Sequence, residues 1–120
     1  MLDDPALAGL FGPQGRAEQP LAGLANGVVI AGQVDRMLVL PDRVLLCDFK
    51  TGRAAPASTA QVPVLYLRQM AAYRALLRSL YATRKIECIL VWTEGPSIMT
   101  LPDGLLDMHQ PGVRPVLHEG

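Results

Sequence analysis

The chain has 120 residues, half of them apolar, and its eleven basic and eleven acidic side chains cancel to a formal net charge of zero. That length supports one domain with a real core, and that apolar content excludes a disordered chain. No apolar run reaches the roughly 20 residues that a membrane-spanning helix needs, and the N-terminus has no basic stretch followed by an apolar one, so a cytoplasmic protein without a membrane partner is expected.

Residues 1–17 hold a short helical possibility from Pro5 to Phe11, ended by Gly12-Pro13, and read as the remnant of an upstream region. A first strand is predicted over about Gln19 to Leu24, followed by Asn26-Gly27, a strong hairpin signal because both residues tolerate positive φ. Val28 to Leu40 is a long, β-branched second strand, in which Gly32 permits a bulge or a close backbone approach. Pro41 has its φ preset for a turn over Leu40-Pro41-Asp42-Arg43, and Arg43 to Lys50 is the third strand.

This hairpin is where chemistry enters. If the turn closes an antiparallel pair without a bulge, paired residue numbers sum to 83, and Asp35 lies opposite Asp48. Alternation then puts Asp35, Asp48 and Lys50 on one face, above Val44 and Leu46. Carboxylates about 5 Å apart repel by roughly 3 kcal/mol at an effective dielectric of 20. A purely structural sheet avoids that cost, whereas a hard divalent cation with oxygen ligands removes it. Two other readings stand beside this one. Both Asp can be strand-end residues facing water with Lys50 neutralising them, and a one-residue bulge would send the two Asp to opposite faces.

Thr51 to Pro63 is a small-residue loop bordering the hairpin, and Pro63 suits the first position of a helix running to about Tyr81. Gln69 and Tyr73 share a helix face with Tyr66, Leu76, Leu77 and Leu80, while Arg68, Arg74 and Arg78 are expected mostly elsewhere. Ile86 to Trp92 is a buried strand, Thr93-Glu94-Gly95-Pro96 a turn, and Ser97 to Leu101 a last short strand. Beyond it lie a helical turn and a tail over residues 108–120, where His109 and His118 read as solvent residues. Cys47 and Cys88 each sit in an apolar run and are expected to be buried thiols, not metal ligands. From Arg36 to Lys85 there are nine basic residues and two acidic ones, which is compatible with a phosphate-bearing substrate or with an ordinary solvated face. The element order, three meandering strands, a helix and two strands, predicts an α+β domain whose mixed sheet carries a helix on one face.

Three motifs in this order resemble a known family: Gly32-Gln33-Val34-Asp35-Arg36, Asp48-Phe49-Lys50-Thr51, and Gln69 followed by Tyr73. They resemble the PD-(D/E)xK nuclease core in its RecB-like branch. Glu18 to Gly23, Tyr66 to Gln69 and Val91 to Glu94 extend the likeness to the C-terminal nuclease domain of AddA-type helicase–nucleases of double-strand-break repair. The resemblance implies a restriction-endonuclease-like fold over residues 18–107 and Mg²⁺-dependent hydrolysis of single-stranded DNA ends, with Mn²⁺ as a substitute. It implies that Asp35, Asp48 and the main-chain carbonyl of Phe49 hold the metal, and that Lys50 polarises the scissile phosphate or orients water. It gives Gln69 and Tyr73 a place lining the site, with Glu18, Arg36 and Thr51 as supporting, DNA-facing positions. The implied partners are DNA, an AddB-type subunit and helicase domains of the same parent chain. In that branch a further upstream residue, commonly His, completes the metal site. None precedes Glu18 here, and no GxxxxGK[ST] loop is present, so a piece of a longer protein is expected. The alternatives are a strand-guiding module that does not itself cleave, and a RecB-like exonuclease outside the repair complex.

Overall fold

A computed structural model describes residues 4–95 and 97–112. Asp4 caps a short helix α1 (Pro5–Phe11), its carboxylate accepting the Ala6 N–H at 2.9 Å. Strands β1 (Arg16–Ala25), β2 (Val28–Val39) and β3 (Arg43–Ala54) follow, then a 3-10 turn (Thr59–Gln61) and helix α2 (Val64–Leu80). Strands β4 (Lys85–Glu94) and β5 (Ser97–Thr100) and a short helix α3 (Asp103–Asp107) complete the described chain. Pro96 of the expected turn, His118 and the tail beyond Gly112 lie outside the described residues.

The five strands form one sheet in the order β1-β2-β3-β4-β5. Only β3 and β4 are parallel, with α2 as their crossover, because parallel neighbours cannot be joined by a tight turn. The other pairs are antiparallel. Asn26 and Gly27 both take positive φ, 52° and 76°, which gives the first hairpin the backbone twist its strands require. The architecture is the mixed α+β sheet expected, with one difference: both faces are covered. Val44, Leu46, Cys88, Leu90 and Trp92 pack beneath α2 and α3, while Leu38, Leu45, Cys47 and Ile89 pack against Leu7 and Leu10 of α1. The segment before residue 18 is therefore part of the fold: Leu10 is fully buried and β1 begins at Arg16, ahead of the expected Gln19. At the other end, Asn26 donates to the carbonyl of Pro111 at 3.0 Å, which ties the first described residues of the tail to the β1–β2 turn.

Four further expectations are corrected. β3 continues to Ala54, into the predicted loop, because β4 supplies a parallel partner as far as Glu94. Pro63 caps α2 instead of opening it, its carbonyl accepting the Tyr66 and Leu67 N–H groups. Arg74 does not face solvent. It lies on the buried stripe with Met70 and Leu77, fully buried, and its guanidinium meets Asp103 Oδ1 at 2.9 Å and Asp107 Oδ1 at 2.6 Å from α3. Leu80 moves the opposite way and is exposed where α2 ends. The basic excess of the middle segment is in part internal as well. Arg43 bridges Asp4 and Glu87, and its hydrogen bonds hold the Asp4 carboxyl below its ordinary pKa.

Cys47 and Cys88 are free, buried thiols, and burial pushes both up to about 12, so neither is a thiolate at neutral pH. Among the described residues no helix is long and apolar enough to cross a membrane.

Candidate active site

The site lies where β2 and β3 part. Their register obeys the sum of 83 from Val39↔Val44 to Arg36↔Cys47 and then stops, so the direct Asp35–Asp48 pair is not formed. On the other side of β2 the pairing with β1 skips the same level: Ala17 meets Arg36 and Gln19 meets Val34, while Glu18 and Asp35 fall between. Glu18 is held at φ 50°, a left-handed conformation that costs a non-glycine residue about 1–2 kcal/mol. Val34 and Met37 both reach the core beneath α2 although they are three positions apart, a step that should place them on opposite faces. Strand alternation therefore slips by one step at Asp35-Arg36.

The slip turns backbone groups toward the carboxylates. Asp48 Oδ1 accepts the Asp35 N–H at 3.0 Å, and Asp35 Oδ2 accepts the Phe49 N–H at 2.8 Å. Each carboxylate thus replaces a ladder bond that the parted strands have lost, which leaves Asp35 Oδ1 and Asp48 Oδ2 as the oxygens for a cation. Asp48 is 5 % exposed. Burial raises its pKa, the Asp35 N–H and Lys50 oppose the rise, and the Asp35 charge adds to it. A divalent cation on these oxygens would relieve both the burial and the like-charge contact. Two carboxylates and a nearby strand carbonyl are an oxygen donor set that fits Mg²⁺ or Mn²⁺, which keep several waters. Among the described residues no group of three or more His, Cys, Asp or Glu side chains gathers as a metal cluster.

Lys50 lies on the α2 side of β3, two residues beyond Asp48. Its Nζ is 3.9 Å from Asp48 Oδ2 and donates to Gln69 Oε1 at 3.3 Å. Gln69 Nε2 is 3.5 Å from the Tyr73 hydroxyl, and Tyr73 is buried in the core. The chain of contacts from Asp48 through Lys50 and Gln69 to Tyr73 thus joins strand to helix. Gly32 permits it: a Cβ there would overlap the Tyr73 hydroxyl. Gly32→Ala is expected to displace Tyr73 and destabilise the fold by about 1–3 kcal/mol, as overpacking does. Thermal melts of Gly32→Ala and of Gly32→Ala/Tyr73→Phe check this, since loss of the hydroxyl should restore most of the stability.

The remaining expected positions divide. Phe49 puts its side chain on the opposite face, stacked on Phe11 with ring centroids 6.2 Å apart. Glu18 and Thr51 are exposed beside the parted strands. Arg36 is not brought to the site. It pairs in regular register with Cys47, which faces α1, and on that side its guanidinium donates to the carbonyls of Leu10, Gly12 and Gly15. One residue went unassigned from sequence. The Tyr66 ring lies 4.2 Å from Lys50 Nζ, and its advance signals were its place one turn before Gln69 on the same face and the likeness of the Tyr66 to Gln69 segment, neither of which gave it a role.

A mixed five-stranded sheet with flanking helices, opened at two central strands to present Asp35, Asp48 and Lys50, defines a restriction-endonuclease-like α+β nuclease fold. The model of the PD-(D/E)XK nuclease superfamily matches residues 7–100, and the chain belongs to that superfamily. Nucleases of this superfamily typically use divalent metal ions. No curated protein gives a significant match. Among solved structures, the chain is similar to a candidate exonuclease from Eubacterium rectale, with a TM-score of 0.60 and 16 % identity over 90 % of this chain and 43 % of that one. It is also similar to SSO0001, with a TM-score of 0.48 and 14 % identity over 89 % of this chain and 54 % of that one. The chain thus spans about half the length of each of these proteins.

Proposed function

We propose that this chain is the nuclease unit of an AddA-type helicase–nuclease and hydrolyses phosphodiester bonds of single-stranded DNA ends with Mg²⁺, or Mn²⁺ in its place. The observation that carries the reading is the convergence of Asp48, Lys50 and Gln69 on one face, with Asp35 locked to the Asp48 strand by reciprocal backbone bonds. Asp35, Asp48 and the Phe49 carbonyl hold the cation. When bound, it neutralises phosphate charge and lowers the pKa of water. Lys50 places a positive charge where negative charge develops on the phosphate. Gln69 fixes the direction of the ammonium. Exposed Glu18 and Thr51 line the approach. In the same reading the unit works in the cytoplasm beside an AddB-type partner subunit, fed with DNA by helicase domains of its parent chain.

Asp48→Asn keeps the acceptor for the Asp35 N–H and removes the charge. Calorimetry with Mn²⁺ should show binding by the wild-type chain and none by Asp48→Asn, and the intact protein carrying the change should lose cleavage of single-stranded DNA. Melting in metal-free buffer should move the other way. Burial raises the Asp48 pKa, so its charged form costs stability above the unfolded carboxyl pKa, and Asn removes that cost. Retained cleavage by Asp48→Asn would rule the assignment out. A second reading, a strand-guiding module that does not cleave, draws on the two carboxylates that meet at the site, with no third His, Cys, Asp or Glu gathered there among the described residues. It predicts DNA binding with no Mn²⁺ heat in the wild-type chain.

A further inference from the structure

We infer that Tyr66 is a positioning residue for Lys50, holding the ammonium against its ring face so that it points toward the Asp48 carboxylate and the substrate phosphate. The inference rests on the nuclease reading above and extends it to a residue with no assigned role.

The Lys50 side chain is only 13 % exposed, so its ammonium has little water to solvate it. Its polar protein contacts are weak. Gln69 accepts one hydrogen bond at 3.3 Å, and Asp48 Oδ2 stands at 3.9 Å, beyond hydrogen-bond reach. The third neighbour is the Tyr66 ring, whose centroid is 4.2 Å away and whose face attracts a cation. Arg53 lies farther from the same ring, at 6.0 Å. Tyr66 is itself fixed. It sits in the first turn of α2 and leans on Trp92, a fully buried residue whose centroid is 6.1 Å away at 51°. Trp92 is the register partner of Lys50 in the adjacent parallel strand, so the two side chains leave the sheet on one face. The sheet thus supplies both the lysine and the support for the ring that holds it. A lysine is a flexible point charge with several rotatable bonds. A wall of ring on one side and an amide on the other restricts it to the orientation that catalysis uses, with one N–H direction left for a phosphate oxygen.

The test is made in the intact protein, by measuring Mg²⁺-dependent cleavage of single-stranded DNA. Tyr66→Leu is expected to lower kcat by about 10-fold with little change in KM or in Mn²⁺ affinity, while Tyr66→Phe keeps nearly full activity. Because Tyr66→Leu can also disturb packing on Trp92, the deciding measurement uses fluorinated phenylalanines at position 66. Successive fluorines weaken the negative ring face at nearly constant shape, so kcat should fall stepwise while the melting temperature stays level. A flat kcat across that series, or equal activity of Tyr66→Leu and wild type, overturns the positioning role. Absence of metal-dependent cleavage by the wild-type protein would instead sink the nuclease reading, and this inference with it.

Discussion

Lys50→Ala is expected to cut turnover by about 10²–10⁴-fold while leaving divalent-cation binding intact. The two effects separate because Lys50 is not an oxygen ligand. Its ammonium stands 3.9 Å from Asp48 Oδ2, so removing it takes a positive charge away from the cation site and cannot weaken that site through charge. What is lost is a charge positioned in a half-closed setting, where it acts more strongly than in water. Lys50→Arg should not rescue, because a planar guanidinium does not fit between the Gln69 amide and the Tyr66 ring as a compact ammonium does. Cleavage assays beside Mn²⁺ calorimetry check both halves. Loss of cation binding in Lys50→Ala would show that the lysine builds the metal site instead of acting on the substrate.

The second large effect concerns stability. Removing both α3 carboxylates, in Asp103→Ala/Asp107→Ala, is expected to cost about 3–5 kcal/mol and lower Tm by on the order of 10–20 °C. The reason is an asymmetry of burial. Arg74 is fully buried, whereas the side chains of Asp103 and Asp107 are 48 % and 51 % exposed. Without its partners the guanidinium remains a buried, uncompensated charge; without the guanidinium the carboxylates simply face water. Arg74→Met should therefore cost much less than the double change, and adding Arg74→Met to it should recover most of the loss. Arg74 Nε has no hydrogen-bond partner, so the arginine is not fully satisfied even in the wild type. Thermal and urea melts of the three variants decide it. Equal losses for Arg74→Met and the double aspartate change would mean that packing, not charge, sets the cost.

Both effects bear on the DNA-end chemistry proposed above. α3 clamps one edge of the buried stripe of α2, and the adjoining edge of the same face carries Tyr66 and Gln69, which contact Lys50, and Tyr73, which contacts Gln69.

Much of this was legible in local sequence. The Pro41-Asp42 turn fixed the β2–β3 register, Asn26-Gly27 the first hairpin, and Pro5 with Gly12-Pro13 the extent of α1, because turns and helix ends depend on neighbouring residues alone. The face shared by Asp48 and Lys50 followed from strand alternation. What sequence could not supply came from partners distant along the chain. The slip at Asp35-Arg36 falls beside Glu18 on the neighbouring strand, and the carbonyls that receive Arg36 lie at the α1 end, more than twenty residues earlier. The burial of Arg74 needs two carboxylates about thirty residues later, a distance over which hydrophobic periodicity is silent. Residue types and spacing determined which groups the chain has for binding a cation and a phosphate. Only the packing of α2 on the parted sheet decided which oxygens are left free, which ring faces the lysine, and which arginines hold the fold instead of a substrate.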